Sequence, residues 1–143
     1  MLRLAAERAD GAHSYFVPVS HTERARAVLG PQALLAVEQT VVLETDPSKA
    51  RAVARQALAT YLALPNYSNN WKRQGFTDED IADGGSDRLV DALFAWGDES
   101  AIAKRVQEHR DAGADHVCIQ ALTDDPRAFP IAQWRALAPA LTA

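Results

Sequence analysis

Leu34-Leu-Ala-Val-Glu-Gln-Thr-Val-Val-Leu43 is apolar throughout except at Glu38, Gln39 and Thr40. A run this continuous reads as a strand covered on both faces, the pattern of a parallel sheet lying under helices. On its C-terminal side Asp46-Pro47 opens the longest helix, an N-cap followed by proline at the first helical position. Ala50, Val53, Ala54, Ala57, Leu58, Tyr61 and Leu62 recur at helical spacing until Pro65. On its N-terminal side, Gly30-Pro31 stops a helix whose stripe is Ala25, Val28 and Leu29 and whose start fits a capping box of Ser20 with Glu23. Before that helix, a short β-prone run from about Ala12 to Val17 is stopped by Pro18 and reads as another strand.

Further along, residues Asn66 to Gly85 turn polar and aromatic and read as an excursion, with a short helix capped by Thr77. Ser86 caps a helix carrying Leu89, Val90, Leu93 and Phe94 up to Gly97, and Asp98 caps another carrying Ile102, Ala103 and Val106 up to Gly113. His116 to Leu122 forms the third strand, and Pro130 begins a terminal helix with Ile131, Trp134, Leu137 and Leu141 on one face. Trp96 and Trp134 fall on helical stripes and read as core. Strands alternating with helices long enough to be crossovers imply right-handed βαβ units, hence an α/β fold with three parallel strands. At the other end, the amphipathic helix from Met1 to Ala9 has no N-cap before it, so the chain is read as beginning in mid-structure.

Composition narrows the function. The 143 residues carry 15 basic and 19 acidic side chains, a net charge of -4. The basic residues are scattered singly or in pairs such as Lys72-Arg73, which provides no stripe for a phosphate backbone, so nucleic acid is not an expected partner. No apolar stretch approaches the roughly 20 residues that cross a bilayer, and Arg3, Glu7 and Arg8 interrupt any signal-like start, so neither a membrane nor export is expected. The single cysteine, Cys118, reads as a small buried hydrophobe, which suits a cytoplasmic location. His13, His109 and His116 show no ligand spacing, so no metal is expected.

Several phrases carry a resemblance: Leu2-Arg-Leu-Ala-Ala-Glu-Arg-Ala-Asp-Gly11, Tyr61-Leu-Ala-Leu-Pro-Asn-Tyr67, Asn69-Asn70, Gly84-Gly-Ser-Asp-Arg-Leu-Val-Asp91, Ala95-Trp-Gly-Asp98 and Asp111-Ala-Gly-Ala-Asp-His-Val117. In this order and spacing they resemble the later half of the luciferase-like monooxygenase superfamily, in its coenzyme F420-dependent oxidoreductase branch. The resemblance implies a partial (β/α)8 TIM barrel over residues 1–143: the last three parallel strands with their helices, and the first five strands absent. It implies hydride transfer between the deazaflavin F420, or alternatively FMN, and an unidentified organic substrate. It also implies a coenzyme site shared with the missing half, whose phosphate-holding loop would precede Met1. The isolated chain would then bind no coenzyme, or would need self-association as a homo-oligomer or a complementing N-terminal half-barrel. The competing reading is a non-catalytic truncated half-barrel or interaction module.

By the barrel rule, active-site residues lie on loops after the strands' C-terminal ends. That nominates Ser20, His21 and Thr22 as coenzyme contacts, although capping by Ser20 explains the same residues. It also nominates Asn66, Tyr67, Asn69, Asn70 and Trp71 as substrate-lining, because rings and amides on a loop suit a planar organic molecule, although packing of the excursion on its own helices explains them too. No side chain is singled out as catalytic. Glu38 and Gln39 interrupt an apolar strand, and a structural salt bridge is the expected reason.

Overall fold

The computed structural model describes residues 1–142. In chain order the elements are α1 (Leu2–Arg8), β1 (Gly11–Ser14), α2 (Val19–Leu29), β2 (Leu34–Leu43), α3 (Pro47–Leu62), α4 (Pro65–Arg73), α5 (Asp78–Ile81), α6 (Asp87–Leu93), β3 (Phe94–Gly97), α7 (Glu99–Asp111), β4 (His116–Leu122) and α8 (Ile131–Leu141). Every strand pair is parallel, and β2 is the partner of all three other strands.

The registers define the layout. β4 pairs with residues 36–42 of β2, overlapping both the stretch that pairs with β1 (34–37) and the stretch that pairs with β3 (40–43). A strand has two hydrogen-bonding edges, so β1 and β3 must lie end to end along one edge of β2, with β4 on the other. The sheet is therefore three strands wide, and the outer edges of β1 and β4 have no strand partner among the described residues. At the start of β1 a Cβ on Gly11 would lie 2.0 Å from the Leu34 carbonyl oxygen, so only glycine fits that approach.

Side-chain alternation sorts the two faces. Leu35, Val37 and Val41 are fully buried against α2, α7 and α8, in clusters with Ala25, Leu29, Ile102 and Leu137. Ala36, Glu38, Thr40 and Val42 point to the opposite face. Its C-terminal half is covered by the excursion α3–α6, through a cluster of Phe16, Ala54, Leu58, Trp71, Leu89 and Phe94. Its N-terminal half is open, with His13 and His116 exposed.

Local signals account for most helix ends. Asp46 caps α3 by accepting hydrogen bonds from the Ser48 and Lys49 backbone N–H groups at 2.9 and 3.0 Å. Asp46→Ala should therefore cost about 1 kcal/mol of stability, and a shift in the urea-unfolding midpoint is the measurement. Thr77 with Asp80 forms a capping box, and Ser86 and Asp98 cap α6 and α7. Arg51 and Arg55 tie α3 to α6 through Asp87 and Asp91, at 2.5–2.9 Å.

The structure corrects several sequence expectations. There are four strands, not three: Phe94 leaves the helical stripe after Leu93, and Phe94–Gly97 pairs with β2 as β3. Trp96 therefore lies on a strand, half-buried, its ring N–H donating to Asp91 Oδ1 at 2.8 Å. Trp134 is not core either, being 40% exposed, and Cys118 is half-buried. The capping box of Ser20 and Glu23 does not form. α2 starts at Val19 behind Pro18, with no side-chain cap, and His21 N–H already donates to the Pro18 carbonyl at 2.9 Å. Asn66–Trp71 is helical rather than a loop, because Pro65 not only follows α3 but supplies the N1 position of α4.

Candidate functional site at the strand ends

β1 ends in a backbone kink. Phe16 has φ 57, an outlier for an aromatic residue, and three contacts hold it there. Its N–H donates to Glu38 Oε2 at 3.2 Å, its carbonyl accepts from the Trp71 indole N–H at 3.1 Å, and its ring stacks on Tyr61 at 4.5 Å between centroids. Such strain persists only where surrounding structure over-determines it, and it clusters at functional sites.

Glu38 has no cation partner among the described residues, which overturns the expected salt bridge. Its carboxylate instead accepts from Phe16 N–H and from the Thr40 hydroxyl, the latter at 2.6 Å. Burial raises its pKa, and the two hydrogen bonds oppose that shift in part. One residue before the kink, the Tyr15 hydroxyl lies 3.0 Å from that of Tyr61 and donates to Gln120 Oε1 at 3.1 Å. Burial, assisted by the Tyr61 hydrogen bond and by Glu38, pushes the Tyr15 pKa above its ordinary value, so this phenol stays protonated and serves as a donor.

Beside these groups, along the open edge of β1, runs a groove of about 880 Å³. One wall is apolar and comes from α1, with Leu2, Leu4, Ala5 and Ala9. The floor is Ala12, His13, Ser14 and Tyr15, and the far wall is His21 with Asn66, Tyr67, Asn69, Asn70 and Arg73 from α4. Of the residues nominated from sequence, His21, Asn66, Tyr67, Asn69 and Asn70 thus meet on one wall. Helical spacing does this: 66, 69, 70 and 73 recur every three or four residues and share a face of α4.

The remaining nominees point elsewhere. Ser20 is exposed in the first turn of α2 and does not line the groove. Thr22 is fully buried, with its hydroxyl 2.8 Å from His109 Nδ1. Trp71 is fully buried and holds the Phe16 carbonyl. His21 Nδ1 is buried without a hydrogen-bond partner, and burial, followed by the nearby Arg24, lowers its pKa, so the ring is neutral at pH 7. Sequence reading missed Tyr15, His13 and Arg73. From sequence, Tyr15 reads as an ordinary β-prone residue inside a strand and Arg73 only as part of a scattered basic pair. No metal-binding group of three or more His, Cys, Asp or Glu occurs among the described residues, and none of their helices is long and apolar enough to cross a membrane.

No protein-family model matches the chain, and no curated protein matches it in sequence. Its fold is similar to solved structures. One is an F420-dependent secondary alcohol dehydrogenase in complex with an F420-acetone adduct, at 14% identity and a TM-score of 0.64, covering 98% of this chain and 45% of that chain. Another is a type II Baeyer-Villiger monooxygenase, the oxygenating constituent of 3,6-diketocamphane monooxygenase from the CAM plasmid of Pseudomonas putida in complex with FMN. Here identity is 22% and the TM-score 0.52, covering 95% of this chain and 42% of that chain. The chain spans less than half the length of either protein. At these identities the likeness is one of fold, an α/β parallel sheet corresponding to part of a (β/α)8 barrel.

Proposed function

We propose that this chain is the C-terminal part of a luciferase-like barrel oxidoreductase, in which hydride moves between coenzyme F420, or FMN in its place, and an organic substrate. The observation that supports it best is the joint one of fold and site. A parallel sheet matched over nearly its whole length by an F420 enzyme carries, along the open edge of β1 up to its C-terminal end, a groove walled by rings, amides and apolar side chains. That lining fits a planar heterocycle with a polar edge. Tyr15 would lie against its face and His21 would meet its polar rim, while Asn66, Tyr67, Asn69 and Asn70 would line the organic substrate beside it. When bound, the coenzyme supplies the hydride chemistry. The chain's own part is to orient and to shield: Tyr15 offers a protonated hydroxyl, and α1 and α4 exclude water on two sides.

The open sheet edges support the need for a partner. The sheet is three strands wide, with β1 and β3 sharing one edge of β2, so two copies of this chain would fill only six of the eight positions around a barrel. A complementing half-barrel therefore closes the cylinder where a simple homodimer does not. Exposed apolar side chains outside the groove are available to a partner: Phe129 and Trp134 beside the start of α8. As a second reading, these same features suit a non-catalytic module that binds no coenzyme by itself.

The test is a fluorescence titration of the purified 143-residue chain against F420, and separately against FMN, with light scattering to fix its oligomeric state. Saturable quenching by one of them, weakened at least fivefold in His21→Ala, is the expected result. A folded chain that leaves both spectra unchanged at millimolar concentration removes the coenzyme reading for this chain and leaves the module.

A further inference from the structure

We infer that the organic molecule received by the groove along β1 is an anion, a carboxylate or a phosphate ester borne on an apolar body. Its role as the substrate rests on the oxidoreductase reading above. The binding chemistry does not.

The argument is one of charge placement. Acidic residues outnumber basic ones 19 to 15 in this chain, yet no Asp or Glu lines the groove, whereas Arg8 and Arg73 both do. Neither arginine has an ion-pair partner among the described residues. A third cation stands at the Arg73 end: Arg24 donates from Nη1 to the Arg73 carbonyl at 3.4 Å, and its charge is felt at His21. Side-chain amides of Asn69 and Asn70 lie on the same wall. Guanidinium groups and amide N–H groups together recognise oxyanions, and a concave wall that excludes carboxylates strengthens that preference. Opposite them the α1 wall has only carbon to offer between Leu2 and Ala9 apart from Arg8, which suits the apolar body. A neutral molecule would gain nothing from the exposed arginines, and a cationic one would be repelled by them.

Anilinonaphthalene sulfonate, an apolar ring system with one anionic group, is the probe, and the uncharged phenyl naphthylamine is its control. Both are titrated by fluorescence into the full chain and into Arg73→Ala, Arg73→Lys and, outside the groove, Arg135→Ala. Arg73→Ala should weaken the sulfonate about tenfold, the loss of one charge-assisted contact. Arg73→Lys should lie between, Arg135→Ala should match the parent, and the neutral probe should bind all four alike. Benzoate and phenyl phosphate, added as competitors, separate the two anion sources: the stronger competitor identifies the group. Equal sulfonate binding by the parent and Arg73→Ala overturns the inference. So does an equal loss for both probes, which would mark a collapsed groove, or a failure of both competitors to displace the sulfonate. Coenzyme titration can fail while this series succeeds, so the two readings are tested separately.

Discussion

Trp71→Ala is expected to destabilise the chain by roughly 4 kcal/mol, within the 3–5 kcal/mol range of buried tryptophan truncations. Trp71 is fully buried in the cluster beneath the excursion, so truncation leaves a cavity among Phe16, Tyr67 and their neighbours that the rigid β1 end cannot fill. It also orphans the Phe16 carbonyl, which now accepts from the indole N–H at 3.1 Å, and a buried acceptor without a donor adds to the cost. Trp71→Phe keeps most of the volume and loses only the donor, so it should cost about 1–2 kcal/mol. Urea unfolding followed by circular dichroism measures both. Because a domain's whole stability is only about 5–15 kcal/mol, Trp71→Ala should be partly unfolded at 37 °C. A cost under 1 kcal/mol for Trp71→Ala would show that the tryptophan does not hold the β1 kink.

The second large effect concerns acid. His109 is fully buried between Thr22, whose hydroxyl lies 2.8 Å from Nδ1, and Gln39, whose Oε1 lies 2.9 Å from Nε2. The Gln39 amide N–H groups donate to the carbonyls of Thr40 and Leu93. Its oxygen is thereby left facing the histidine, which sets Nε2 as the protonated nitrogen and Nδ1 as the acceptor. Burial, followed by the charges of Arg105 and His21, lowers the His109 pKa to about 4. Between that value and the ordinary 6.5, the unfolded chain binds a proton that the folded chain refuses. The stabilisation is therefore complete above pH 6.5 and is lost as pH falls towards 4. From pH 7.5 to 4.5 the loss is about 2–3 kcal/mol. Glu38, with its raised pKa, works in the opposite sense over part of this window, so the comparison is made against His109→Gln, which retains Glu38. Parent and variant are unfolded in urea at both pH values, and the parent should lose more stability than the variant. Equal losses would remove His109 as the source of acid sensitivity.

What could be read without coordinates follows a pattern. β2 was legible from end to end because its apolar run is long and unbroken, and β4 because His116 and Leu122 are bounded by a glycine-ended helix and a polar loop. Asp46, Thr77, Ser86 and Asp98 were legible as caps because a cap bonds to a backbone two or three residues away. β3 was not. Phe94 and Trp96 sit at spacings that continue the α6 stripe, and only the free stretch of edge beyond β1, at Thr40–Leu43, selects an extended conformation for them. Within the candidate site, the shared wall of Asn66, Tyr67, Asn69 and Asn70 was visible as composition but not as a helix face. Tyr15, the residue with the most polar partners there, carried no signal at all.

Sequence by itself therefore determined three of the four strands, most of the helices with their caps, the parallel character of the sheet and the resemblance that its phrases carry. These rest on interactions within a few residues, or on the plain need to bury an apolar run. Tertiary structure alone decided that Glu38 holds a backbone kink instead of an ion pair, that His109 joins Thr22 to Gln39, and that Arg73 comes to lie along the edge of β1. Each of those depends on two groups between 22 and 87 positions apart meeting within hydrogen-bonding reach, or on one groove, and no local preference specifies which distant group arrives.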